Sequence, residues 1–197
     1  HGYEIWPGGV AARRGEGIRN VQFVKHVDMG TGRVSHHDWG VLYNNLMEAA
    51  GVEPPGYLTH ESAAWSEGKQ RWYFLPRRLS PSQAWHAEED AERGCNLLLS
   101  CDERGGNVEV VHVQGVDDPT RGFSAMRFVP GCGDDVIAAT KTVEQGGGGE
   151  VHTYLTVIHV DGSVLLPETY VGPVKFEGLE ITEIAGAADD GGRLAKA

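Results

Sequence analysis

Three oxygen-bearing side chains, Glu61, Ser124 and Glu177, stand at related places in the chain. Aligning Glu61-Ser62-Ala63-Ala64-Trp65 with Ser124-Ala125-Met126-Arg127-Phe128, 63 residues on, sets Trp65 on Phe128 and Gly68 on Gly131. The same frame sets Trp72–Leu75 on Asp135–Ala138. A third start follows 53 residues later at Phe176-Glu177-Gly178-Leu179-Glu180-Ile181. Two carboxylates and a hydroxyl brought to one place are hard oxygen ligands, which suit Ca²⁺ rather than zinc or copper. Taken singly, a Glu or Ser beside a turn is more simply a solvated residue. The metal reading rests on all three in register. Cysteine supports no rival metal: Cys95, Cys101 and Cys132 show no CxxC or Cys/His spacing. They are too few and too odd for a disulfide framework. A Cys95–Cys101 pair across a strand turn is open, but small buried residues are the simpler expectation.

Elements able to bring such residues together must be short and regular. Val21–Val27 alternates as a strand does, and Gln70–Leu75 is a β-rich run with Trp72, Tyr73 and Phe74. Asn96–Ser100 and Val108–Val113 flank a loop at Asp102–Gly106; Phe123–Val129 and Val136–Thr140 flank another at Pro130–Asp135. Val151–Val160 and Ser163–Leu166 flank Asp161-Gly162, a tight-turn dipeptide. One helix is expected, over Asp38–Ala50, from the spacing of Trp39, Leu42 and Leu46. Asp38 is expected in its first turn, with Gly51 and Pro54-Pro55-Gly56 stopping it. Ser80–Arg93 reads as a solvated acidic excursion or short helix, and the tail from Ala185 as fraying. Each repeat is then about four strands in roughly 50–60 residues, the size of a propeller blade. In a propeller the innermost strands face one another round an axis, which is how Glu61, Ser124 and Glu177 would converge.

Composition bounds the partners. Lys and Arg number 17 against 28 Asp and Glu, a formal charge of −11, which repels a phosphate backbone and disfavours nucleic acid. Apolar residues at 40% are enough for a core, and no run is long enough to span a bilayer. Glycine, 28 of 197 residues, is about twice its usual share and favours turns and short strands. The four glycines after Gln145 lack the Lys-Ser/Thr ending of a phosphate-cradling loop and read as a hairpin tip. The chain starts at His1 without a leader pattern, so the expectation is the later part of a longer product.

Several long strings resemble the calcium-activated nucleotidase (apyrase) family. They are Pro54–Trp65, then Arg71-Trp72-Tyr73-Phe74-Leu75-Pro76-Arg77-Arg78, Asn96–Ser100, Arg121–Ser124, Leu165–Thr169 and Lys175–Glu180. The match runs from about Val24 to Ile181, while the stretch to about Arg19 departs from it. The resemblance implies an all-β, five-bladed propeller with Ca²⁺ in its central channel, of which this chain holds about the last three blades plus one short helix. It is one domain over 1–197, with 1–20 poorly matched and 185–197 a tail. It implies hydrolysis of nucleoside di- and triphosphates to the monophosphate and phosphate, with work in the secretory route. Carried over by position, Glu61, Ser124 and Glu177 match calcium-site residues, and Arg77 matches an arginine of the active site. Arg77 suits bidentate contact with phosphate oxygens; without the resemblance it would read as a surface pair with an acid such as Glu88. Further ligands would lie on blades upstream of residue 1.

The expected partners are a nucleoside di- or triphosphate, no nucleic acid, no membrane span and, as an assembly, a homodimer. The rival reading is a non-catalytic propeller, pinned by calcium, that serves as a binding scaffold. Poor activity is expected of these 197 residues alone, because open blades leave sheet edges unpaired. Other residues read as structural. His36 and His37 point in different directions, His60 is a neighbour of Glu61 or a core group, and Asn44 and Asn45 are surface or capping groups. Trp65, Trp72, Tyr73 and Phe74 pack between sheets rather than stack a base.

Overall fold

The structure is a computed structural model and describes residues 3–4, 22–144 and 150–182. These are mostly β-sheet with few helices. Strands β1 (Tyr3–Glu4), β2 (Phe23–Val27) and β3 (Val34–Asp38) form a three-stranded antiparallel sheet, with Lys25 opposite His36. Helix α1 (Gly40–Ala49) follows, burying Leu42 and Leu46. Asp38 ends β3 and is not in the first helical turn, yet its carboxylate accepts the Gly40 N–H at 2.8 Å. That corrects the expected position while keeping the favourable charge at the helix start. Gly51, at φ 71°, turns the chain out of the helix in a conformation that suits glycine.

Two four-stranded antiparallel meanders follow. The first comprises β4 (Tyr57–Ser66), β5 (Arg71–Ser80), β6 (Leu97–Cys101) and β7 (Glu109–His112). The one-turn helix α2 (Ala87–Asp90) sits in the excursion between β5 and β6. The second comprises β8 (Arg121–Phe128), β9 (Val136–Glu144), β10 (Val151–His159) and β11 (Val164–Gly172). Alternation on β5 decides the layering. Tyr73 and Leu75 join Leu98, Phe123, Met126, Ile137 and Ile158 in a core between the two meanders. Trp72 and Phe74 face the other way, onto Leu42 and Leu46 of α1. Burial on both faces explains why Trp72–Leu75 is apolar without interruption. The aromatic run therefore packs, with Trp39 and Trp72 rings 4.9 Å apart and Trp65 and Trp72 5.3 Å apart.

Register bears out the 63-residue relation up to the first hairpin. His60 pairs with Pro76 and Ser62 with Leu75, so Glu61 is the extra residue of a bulge; Ser124 is skipped likewise between Phe123–Lys141 and Ala125–Thr140. Beyond the hairpin the relation changes. Trp65 faces Trp72, whereas Phe128 faces Ile137, so Trp72–Leu75 correspond to Ile137–Thr140 and not to Asp135–Ala138. The second turn is two residues longer, and it uses Gly131, Gly133 and Asp134 at positive φ.

Three strands run further than expected. β5 continues through Pro76 because Pro76 sits at the bulge, and β11 continues through Pro167 because it is an edge strand. β9 continues to Glu144, which matters for the site. Phe176–Ile181 forms no strand: residues 173–182 are irregular, pinned where Thr153 Oγ1 donates to the Val174 carbonyl at 2.6 Å. Cys95, Cys101 and Cys132 are free thiols. The glycine run after Gln145 and the tail from Ala185 lie outside the described residues.

Candidate active site

Bulges re-aim side chains, and here the first strand of each of two neighbouring sheets carries one, at Glu61 and at Ser124. β4 packs on β8. Across this junction reaches Arg77, 4% exposed, from β5 of the first meander to β9 of the second. Its Nη1 donates to Glu61 Oε2 at 3.0 Å and to Thr142 Oγ1 at 2.6 Å; its Nη2 donates to Glu144 Oε2 at 2.7 Å. The strand β8 comes this close because residue 122 is glycine. A Cβ there would stand 2.6 Å from the Arg77 carbonyl oxygen and 2.7 Å from Arg78 Nη1.

A second cation enters from the irregular segment. Lys175 Nζ lies 3.0 Å from Glu144 Oε1, 3.3 Å from Glu177 Oε1 and 3.9 Å from Glu61 Oε1. Ser124 anchors the same segment: its Oγ donates to the Phe176 carbonyl at 3.3 Å and lies 2.9 Å from Thr140 Oγ1. Glu61, Arg77 and Glu177 are thus gathered round one polyionic cluster, and Ser124 fixes the backbone beside Glu177. Three carboxylates meet two cations.

Electrostatics follow from this count. Burial pushes the Glu61 carboxyl above the ordinary glutamate value, against the pull of Arg77 and Lys175. Burial also acts to raise Glu144, but the Lys175 hydrogen bond and the Arg77 charge outweigh it and hold Glu144 low. Burial alone would lower Lys175; the hydrogen bond to Glu144 and the charges of Glu61 and Glu144 raise it instead. Arg78 adds a further buried positive group, with Asp90 Oδ2 3.9 Å from its Nε. Its pKa is lowered, by burial first and then by Arg77.

The donor set fits a hard divalent cation in kind, since Glu61, Glu177 and Ser124 are all oxygen donors, the Ser124 hydroxyl being engaged here with Thr140 and the Phe176 carbonyl. Among the described residues, no three His, Cys, Asp or Glu side chains are placed to grip an ion by themselves.

Three members of the cluster, Thr142, Glu144 and Lys175, escape the sequence reading. Thr142 and Glu144 lie beyond the expected end of β9, and Lys175 stood in the resembling string Lys175–Glu180 without a role of its own. Arg77 is not in a surface pair with an acid such as Glu88, the alternative its residue type alone would suggest, but in a buried network with Glu61 and Glu144. His60 is a core residue, its ring 5.5 Å from Tyr43 and stacked at 23°, with Nδ1 unpartnered. His36 and His37 are exposed on β3, and Asn45 Nδ2 donates to the Gly105 carbonyl at 2.9 Å.

The family model described as Apyrase matches residues 9–182. The chain belongs to the apyrase family. The match begins earlier than the resemblance near Val24 had indicated. Soluble calcium-activated nucleotidase 1 of Rattus norvegicus is 45% identical over 161 residues, 82% of this chain and 39% of that protein. Apyrase apy-1 of Caenorhabditis elegans is 39% identical over 158 residues, 80% of this chain and 44% of that protein. An apyrase of Cimex lectularius is 35% identical over 161 residues, 82% of this chain and 43% of that protein. The chain therefore spans less than half the length of these apyrase relatives. Among the described residues, no helix is long and apolar enough to cross a membrane.

Proposed function

We propose that the chain serves Ca²⁺-dependent hydrolysis of nucleoside di- and triphosphates of the ADP, GDP or UDP type, in the secretory route that the resemblance implies. The observation that carries this reading is the gathering of Glu61, Glu144 and Glu177 round Arg77 and Lys175, beside the bulges of β4 and β8, in a chain of the apyrase family. The two meanders read as neighbouring blades of the five-bladed propeller. Glu61, Ser124 and Glu177 would hold the ion, as about half of the six to eight oxygens that Ca²⁺ takes. Bound there, it would supply charge neutralisation and polarisation of the terminal phosphate.

The chain's own residues do the rest. A −11 protein repels a diphosphate unless the sign is reversed locally, and Arg77 provides that reversal. Its guanidinium is planar and fixed by Thr142, so its fork is oriented before substrate arrives. Glu144, at 37% side-chain exposure, is the more accessible of its two carboxylate partners and the one that phosphate oxygens would replace. In the reaction, water adds to the terminal phosphorus and the bridging P–O bond breaks. A nucleoside diphosphate and water become the monophosphate and inorganic phosphate.

The test is phosphate release from ADP, GDP and UDP by the full-length protein in Ca²⁺, in Mg²⁺ and in excess EGTA. Release in Ca²⁺ alone is expected. Equal rates in EGTA refute the reading. A calcium-dependent melting temperature without turnover would favour the scaffold instead.

A further inference from the structure

Lys175 is the one member of the cluster that neither the metal reading nor the phosphate reading employs. Its ammonium stands 3.0, 3.3 and 3.9 Å from oxygens of Glu144, Glu177 and Glu61. Two of those carboxylates belong to the trio proposed to hold Ca²⁺, so the inference rests on that reading. A Ca²⁺ draws carboxylate oxygens to about 2.3–2.6 Å, closer than the ammonium stands to any of the three. An ammonium and a dication drawn to the same oxygens repel one another and compete for the same lone pairs.

The two cations of the cluster differ in freedom. Arg77 is locked: its side chain is 5% exposed and it also donates to the neutral Thr142 hydroxyl. Lys175 is 26% exposed, and its ammonium faces the carboxylates of Glu61, Glu144 and Glu177. Its backbone is nonetheless fixed on both sides, through the carbonyls of Val174 and Phe176. A fixed anchor with a flexible four-carbon stem keeps the ammonium near the carboxylates yet lets it leave them.

We propose that Lys175 is a tethered stand-in for the divalent cation. In the metal-free protein it keeps the negative charges of Glu61, Glu144 and Glu177 from repelling one another. It leaves Glu61 and Glu177 when a divalent cation takes them, keeping at most its contact with Glu144. The released ammonium then adds to the positive charge that a diphosphate meets. Metal affinity is thereby set low by an internal competitor, and the carboxylates never stand bare.

Amine labelling of the intact protein tests this directly. The protein is acetylated briefly with a limiting active ester, with and without Ca²⁺, and each lysine is read by mass spectrometry. Lys175 labelling should rise several-fold in Ca²⁺, while exposed Lys25 serves as the constant reference. Calorimetric Ca²⁺ titration adds a second arm. Lys175→Gln should bind roughly three- to tenfold more tightly, the scale of losing two partly exposed ion pairs, and Lys175→Arg should stay near wild type. A calcium-induced rise in melting temperature with unchanged or slowed Lys175 labelling overturns the inference alone. So does unchanged or weaker binding by Lys175→Gln. Absence of any calcium effect on melting overturns the metal site itself, and the inference with it.

Discussion

His60 makes the stability of this fold acid-sensitive in a way that one substitution should remove. The ring is buried beside Tyr43 and Phe74, and burial depresses its pKa to about 3. In the unfolded chain the same ring titrates near the ordinary value of about 6.5. The sign follows from the depressed pKa. Above pH 6.5 both states are neutral at this residue and stability is unaffected. As pH falls below 6.5 the unfolded state binds a proton that the native state refuses, so stability is lost. The loss is about 1.4 kcal/mol per pH unit, or about 2 kcal/mol at pH 5. At pH 5 the figure depends on the unfolded value alone, provided that the native pKa lies below about 4. For a chain of this size, 2 kcal/mol corresponds to roughly 4–8 °C in Tm.

The assay is thermal unfolding of wild type and His60→Leu at pH 7.5 and pH 5.0. Leu is similar in size, cannot take up a proton, and also removes the unpartnered Nδ1. Other titrating groups act alike in both proteins, so the difference between the two pH-dependent losses isolates His60. Wild type should lose about 4–8 °C more than His60→Leu. Equal losses would show that the buried ring accepts its proton in the native state, and would refute the argument.

Two further substitutions probe the second meander and its junction with the first. Glu168→Gln removes the carboxylate shared by Lys141, at 2.7 Å, and Arg121, at 2.6 Å. The Lys141 side chain is 3% exposed, so its charge is left buried and uncompensated, and about 3–5 kcal/mol of stability should be lost in denaturant titration. Gly122→Ala forces a methyl against the Arg77 backbone, and about 1–3 kcal/mol of destabilisation should appear in the same titration, with slower phosphate release. A neutral Gly122→Ala would show that β8 has slack beside Arg77.

What the sequence made legible was local and periodic. The helix at 40–49 announced itself through Leu42 and Leu46, and the strand order through turn residues such as Asp161-Gly162. The kinship of Glu61 and Ser124 survived because both occupy bulges, a backbone feature that their common frame preserved. The frame failed one hairpin later, because glycines at 131 and 133 absorb two extra residues without disturbing the strands on either side. Strand ends were the weakest point. Lys141, Thr142 and Glu144 break the apolar run of β9, yet their polar heads are held by partners on other elements, which no periodicity reports. Glu177 lies beside the other carboxylates without belonging to a strand. Its place is set by Ser124 and Thr153 gripping the backbone around it.

The central claim is that Glu61 and its partners make nucleotide hydrolysis depend on calcium. The most direct measurement is phosphate release from UDP as a function of free Ca²⁺, by the full-length protein as wild type and as Glu61→Gln. Wild type should show saturable activation and no release in EGTA. Glu61→Gln should require roughly tenfold or more calcium, since even outer-shell partners of metal ligands change affinity by that much. Superimposable calcium curves for the two proteins, or full wild-type release in EGTA, would contradict the account.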